Sequence, residues 1–88
     1  MNKKEIDPWL RGLLASNLRR IRLEKAFTQE DLSEQCGFHR TYVSQVERSM
    51  ANVSIDNLQR LAEALKVSPI ALLQPGEPEG DRKPLPAA

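Results

Sequence analysis

A polar cluster with recognition chemistry lies in the run Arg40-Thr-Tyr-Val-Ser-Gln-Val-Glu-Arg48. Wound as a helix, it places Arg40, Thr41, Ser44, Gln45 and Arg48 on one side. Tyr42, Val43 and Val46 fall on the other. The polar side suits hydrogen bonding in a groove rather than bond making. A guanidinium such as that of Arg40 forks onto guanine O6 and N7, and a carboxamide such as that of Gln45 pairs with adenine N6 and N7. Thr41 offers a methyl to thymine and a hydroxyl to phosphate, and Ser44 can serve either role. Each good bidentate contact discriminates by about 1–3 kcal/mol. Taken alone, such a face favours a blander reading, the solvated side of an amphipathic helix. Covalent chemistry finds no support. No nucleophile–base pair or phosphate-cradling loop is visible, so no enzyme is expected. One cysteine and one histidine make no metal site, and no cofactor is implied.

The elements that must position this cluster begin upstream. Thr28-Gln-Glu-Asp31 has the form of a capping box, with acidic residues suited to the positive end of a helix. A short helix runs from there to near Cys36. Gly37 ends it, where a left-handed residue is needed and glycine supplies one cheaply. A second helix then runs from about His39 to about Arg48. Leu32 and Cys36 line one face of the first, Phe38 leads out of the turn, and Val43 and Val46 line one face of the second. Ser33 is small enough to let the two approach closely.

This arrangement resembles the helix-turn-helix of the Cro/C1 (Xre) family of transcription regulators, over roughly Leu10 to Leu73. Ser33 departs from the alanine usual at its place. The resemblance implies an all-α, five-helix, lambda-repressor-like domain with the helix-turn-helix at its second and third helices. It turns the polar face into a base-reading set, Arg40, Thr41, Ser44 and Gln45. It also implies a phosphate contact from Gln29, which braces the reading helix, the plainer alternative being a good helix-start residue. By position and chemistry His39, Tyr42, Arg48 and Asn52 suit phosphate contact too, against a half-exposed bystander for His39, core packing for Tyr42 and plain solvation for Arg48 and Asn52. Arg22 and Glu47 match a pair that forms a structural ion pair in related repressors. Glu30 and Glu34 match acidic places that meet RNA polymerase in some lambda-repressor-like activators. The competing reading for these two is helix-dipole stabilisation and solvation. The run Ile21-Arg-Leu-Glu-Lys-Ala-Phe-Thr-Gln-Glu-Asp-Leu32, with Arg40-Thr-Tyr-Val-Ser and Glu47-Arg48, is further similar to the controller proteins of restriction–modification systems. Those are short, dimeric and autoregulatory.

The remainder of the chain fits one small domain of 88 residues. Residues 1–8 read as a flexible lead. Asp7-Pro8 reads as a cap and first helical residue. Leu10, Leu14, Leu18 and Ile21 recur at helical spacing, so the first helix runs to about Lys25. Ala26 stands where the family often has glycine; a left-handed alanine there costs on the order of 1 kcal/mol. Ser54 caps a fourth helix whose buried face is Ile55, Leu58, Leu61, Ala62 and Leu65. Ser68-Pro69 starts a short fifth helix to about Leu73. Together these bound a domain over residues 9–74. Residues 75–88 hold four prolines, two glycines and a single large aliphatic side chain, Leu85. They read as a disordered tail.

Val67, Ile70, Leu72 and Leu73 are too many apolar side chains for a short helix to turn into one core. A second copy related by a two-fold axis would cover them; otherwise the start of the first helix folds back over them. The net charge of +1 excludes coating of nucleic acid by bulk charge but not sequence reading by placed arginines. No apolar run is long enough to span a bilayer, and the basic N-terminus lacks the apolar region of a signal peptide. With one unpaired cysteine, these features predict a cytoplasmic protein, nucleoid-associated when bound to DNA. The expected function is a sequence-specific, double-stranded-DNA-binding transcription regulator, a homodimer with its third helix in the major groove. The alternative is an antitoxin-like or other protein-interaction module. A tail so poor in apolar anchors speaks against it.

Overall fold

The computed structural model describes residues 5–75, and every regular element in that span is a helix. The elements are α1 (Trp9–Glu24), α2 (Gln29–Cys36), α3 (Arg40–Glu47), α4 (Ile55–Leu65) and α5 (Pro69–Leu73). Apolar spacing dictates which side of each turns inward. Leu14, Leu18 and Ile21 of α1 meet Leu32 and Cys36 of α2, Val43 and Val46 of α3, and Leu58, Leu61 and Leu65 of α4 in one core. The α2–α3 pair is backed from two sides: α1 packs on α3 and α5, and α4 packs on α2 and α5.

The helix starts follow from local hydrogen-bond chemistry. Thr28 Oγ1 accepts from the Asp31 N–H at 2.9 Å, and Asp31 Oδ2 accepts from the Thr28 N–H at 2.9 Å. Those bonds hold the Asp31 carboxyl below the ordinary carboxylate range, the backbone N–H of Thr28 contributing most. Ser54 Oγ accepts from the Asn57 N–H at 3.0 Å, and Ser68 Oγ from the Ile70 N–H at 3.1 Å, with Pro69 opening α5. Gly37 ends α2 at φ 77°, and its N–H donates to the Ser33 carbonyl at 2.9 Å. Ala26 is left-handed too, at φ 60°.

Three expectations are corrected. Helix α1 starts one residue later than Asp7-Pro8 implied. Pro8 takes the flanking N-cap place without a capping side chain, and the Trp9 N–H donates to the Asp7 carbonyl at 2.7 Å. Leu10 and Ile55 hold apolar places on their wheels but are 46% and 76% exposed. Each sits in the first turn of its helix, beyond the reach of the core, which closes over Leu14 and Leu58 instead. Leu72, assigned to a dimer contact, is wholly buried inside the monomer. The packing of α5 against α1 and α4 supplies the cover that a second copy was expected to give. Of the expected lead and tail, residues 1–4 and 76–88 lie outside the described residues; Glu5 to Pro8 and Pro75 are exposed.

Candidate nucleic-acid interface

The outer face of α3 is built by what lies behind it. Val43 and Val46 are buried, which turns Arg40 and Thr41 fully outward and leaves Ser44 and Gln45 half-exposed beside them. Among the described residues, none of these four side chains makes a hydrogen bond to the protein. Their donors and acceptors are free for a partner. Arg48, at the C-terminal end of α3, and Asn52, in the loop that follows, are exposed on the same stretch of chain. His39 stands exposed at the N-cap, and its side chain makes no capping bond.

The helix is held at its far end by an ion pair. Arg22 Nε lies 2.6 Å from Glu47 Oε2, and Arg22 Nη2 donates to Oε1 at 3.0 Å. The third guanidinium nitrogen, Nη1, donates to the Phe27 carbonyl at 2.7 Å. Both side chains are below a tenth exposed, 8% and 4%. The hydrogen bond to Glu47 outweighs burial and raises the Arg22 pKa, so the guanidinium stays charged. Gln29 Nε2 donates to Glu47 Oε1 at 3.1 Å, tying the start of α2 into the same lock. A carboxamide nitrogen carries two hydrogens, so one remains for a ligand.

A helix-turn-helix family model, HTH_3, matches residues 18–72, the span that carries the Arg22–Glu47 lock, the turn and the outward face of α3. The chain belongs to the HTH_3 family. It is 47% identical over 66 residues to a hypothetical transcription factor of Neisseria meningitidis serogroup B, covering 75% of this chain and 62% of that protein. It is 45% identical over 65 residues to the control protein C.BamHI of Bacillus amyloliquefaciens, covering 73% of this chain and 80% of that protein. It superposes with a TM-score of 0.70 and 35% identity on the restriction–modification controller protein C.Esp1396I, covering 75% of this chain and 87% of that one. In that structure the controller is a tetramer in complex with its natural 35-base-pair operator.

Other residues of this HTH_3 protein divide into those beside the outward face of α3 and those elsewhere. Tyr42 is half-buried, its ring edge-on to Phe38 at 4.9 Å and 64°. Its hydroxyl accepts from Asn57 Nδ2 at 3.1 Å. The Arg60 guanidinium lies 5.6 Å from the Phe38 ring centre. Glu30 and Glu34 are both exposed on α2. Burial pushes the Cys36 thiol up to about 11, so it stays protonated and inert at neutral pH. Ser33, the departure from alanine, is buried but returns its hydroxyl to the Glu30 carbonyl at 2.8 Å. Among the described residues no group of His, Cys, Asp and Glu could hold a metal ion, and no helix is long and apolar enough to cross a membrane.

Of the expected dimer residues, Ile70 is 66% exposed, while Val67 and Leu73 pack against the core half-buried. A cleft of about 280 Å³, lined in part by Leu10 and Ile55, opens beside Leu73. Two asparagines escaped sequence reasoning. Asn17 is buried, donates to the Leu72 and Gln74 carbonyls at 2.9 and 2.7 Å, and accepts from Arg20 Nη2 at 3.2 Å. It satisfies the open carbonyl end of α5. Its signal was a carboxamide inside the apolar stripe of α1, three residues after Leu14. Asn57 carried none, because its partner is on another helix.

Proposed function

We propose that this chain is a sequence-specific, double-stranded-DNA-binding transcription regulator acting as a homodimer, with α3 in the major groove. The observation that carries the reading is the outward set Arg40, Thr41, Ser44 and Gln45, free of internal hydrogen bonds, on a helix locked through Glu47. A solvated face needs no such lock. A reading face does, because base contacts depend on side chains held in register. Gln29, His39, Tyr42, Arg48 and Asn52 would set that register on the phosphates, and the base-reading set would choose the sequence. The operator complex of C.Esp1396I supports the mode of action by relationship. Exposed Leu10, Ile55 and Ile70, with the cleft that Leu10, Ile55 and Leu73 line, suit a second copy; of the expected contacts Val67, Ile70 and Leu73 remain and Leu72 does not. Two half-sites would then lie about 34 Å apart.

The test is a binding titration on DNA upstream of the chain's own coding region, with competitor DNA, at two salt concentrations. Footprinting should show two protected half-sites. Arg40→Ala with Gln45→Ala should erase sequence preference, each substitution weakening operator binding by about 10- to 100-fold. Weak, strongly salt-dependent binding that ignores the substitutions would overturn the reading.

A further inference from the structure

We propose that Asn57 is a positioning residue for DNA binding. It donates a hydrogen bond to the Tyr42 hydroxyl, and that hydroxyl in turn donates its own O–H hydrogen bond to a backbone phosphate. The inference rests on the DNA-binding reading above and assigns a role to a residue outside the helix-turn-helix.

A carboxamide nitrogen only donates, so the contact of Asn57 Nδ2 with Tyr42 Oη at 3.1 Å makes the phenol oxygen the acceptor. The phenol proton is thereby left over. Among the described residues no other group takes it. Accepting one hydrogen bond also polarises the O–H and makes it a better donor. Both partners are fixed. The Tyr42 ring is set by its edge contact with Phe38, which the Arg60 guanidinium covers on α4. The backbone of Asn57 is set at the start of α4 by its N–H, which donates to Ser54 Oγ at 3.0 Å. On the α3 wheel Tyr42 lies about 60° from Gln45, at the edge of the apolar side nearest the polar one, and it is half-buried. A donor at that edge suits the phosphate backbone rather than base edges.

A double-mutant cycle on the footprinted operator fragment tests this, using the full chain as wild type, Tyr42→Phe, Asn57→Ala and the double variant. Thermal melting of each reports folding, and Asn57→Leu repeats the deletion at nearly constant volume. Tyr42→Phe and Asn57→Ala should each weaken binding by about 3- to 10-fold. The double variant should bind no worse than Tyr42→Phe, and the loss should be equal on operator variants, because a phosphate contact carries no base information. The proposal is overturned if both Asn57 variants bind like wild type, or if Tyr42→Phe does. It is overturned equally if Asn57→Ala costs as much in the Tyr42→Phe background as it does with the tyrosine in place. Wild-type protein that shows no sequence preference at all would sink both this inference and the reading beneath it.

Discussion

Helices α2 and α3 are each eight residues long and flank the same glycine turn, yet they are held in different ways. A helix this short is marginal by itself, so something must fix it. Both bury apolar side chains in the core, Leu32 and Cys36 from α2 among them, but in α2 strong local devices are added. A reciprocal capping box opens it, two acidic residues sit in its first turn, and a left-handed glycine closes it. In α3 the local devices are missing: His39 makes no cap bond, the first turn has no acid and the last turn no base. What holds α3 is tertiary, with Val43 and Val46 in the core and Glu47 clamped by Arg22 and Gln29. If α3 presents its face and its first N–H groups to DNA, as proposed, it cannot also occupy those groups with its own caps. Its rigidity is drawn from α1 instead.

Breaking the lock should therefore cost most. Glu47→Ala strands the Arg22 guanidinium in a site below a tenth exposed. Losing one partner of such a buried pair costs about 3–5 kcal/mol. Against a total stability of about 5–15 kcal/mol, that is a large share. Urea unfolding should show it as a fall in midpoint without a change of slope, and amide exchange should quicken in α3 before α2. A loss below about 1 kcal/mol, in the range of exposed pairs, would mean that the lock does not hold the reading helix.

The local device of α2 should matter less. Thr28→Ala removes the acceptor for the Asp31 N–H and costs about 1 kcal/mol, typical of an N-cap. Operator affinity measured at a temperature where the protein stays folded should fall far less than in Glu47→Ala, because Thr28 itself makes no bond to the clamp and only its neighbour Gln29 does. If Thr28→Ala impaired binding as much as Glu47→Ala, the contrast between the two helices would collapse.

Local devices were also the ones legible in the sequence. Thr28 with Asp31, Gly37, Ser54 and Ser68-Pro69 each announce an element end from residues within four positions, and all act as expected. The apolar stripes located the core but not its edge. Leu10 and Ile55 continue their stripes yet lie past the last layer of packing, which periodicity does not count. Leu72 was misplaced for the converse reason: how much cover α1 and α4 give α5 depends on how the helices cross, not on spacing along one of them. The reading face was visible as a wheel. Its arginine lock came only through family resemblance, since Arg22 and Glu47 are 25 residues apart. The Asn17 and Asn57 bonds join helices in the same way; Asn17 left a local mark, a carboxamide inside the apolar stripe of α1, and Asn57 left none.

The finest test of the comparison concerns the connector that delivers the chain to α2. Ala26 is held left-handed at φ 60° and is exposed, so its cost is backbone strain and little else. A left-handed L-residue is strained by about 1–2 kcal/mol, which glycine would relieve. Glycine also loosens the unfolded chain, returning about 0.4–1 kcal/mol of that gain. The difference favours Ala26→Gly by several tenths of a kcal/mol, up to about 1, and raises the melting temperature by no more than about 4–8 °C. Thermal melting reads it directly. A fall instead would mean that the alanine methyl packs on something useful or that the strain is already relaxed. A rise would show that the approach to α2 is tuned by a single residue, whereas the approach to α3 is already optimal with glycine at position 37.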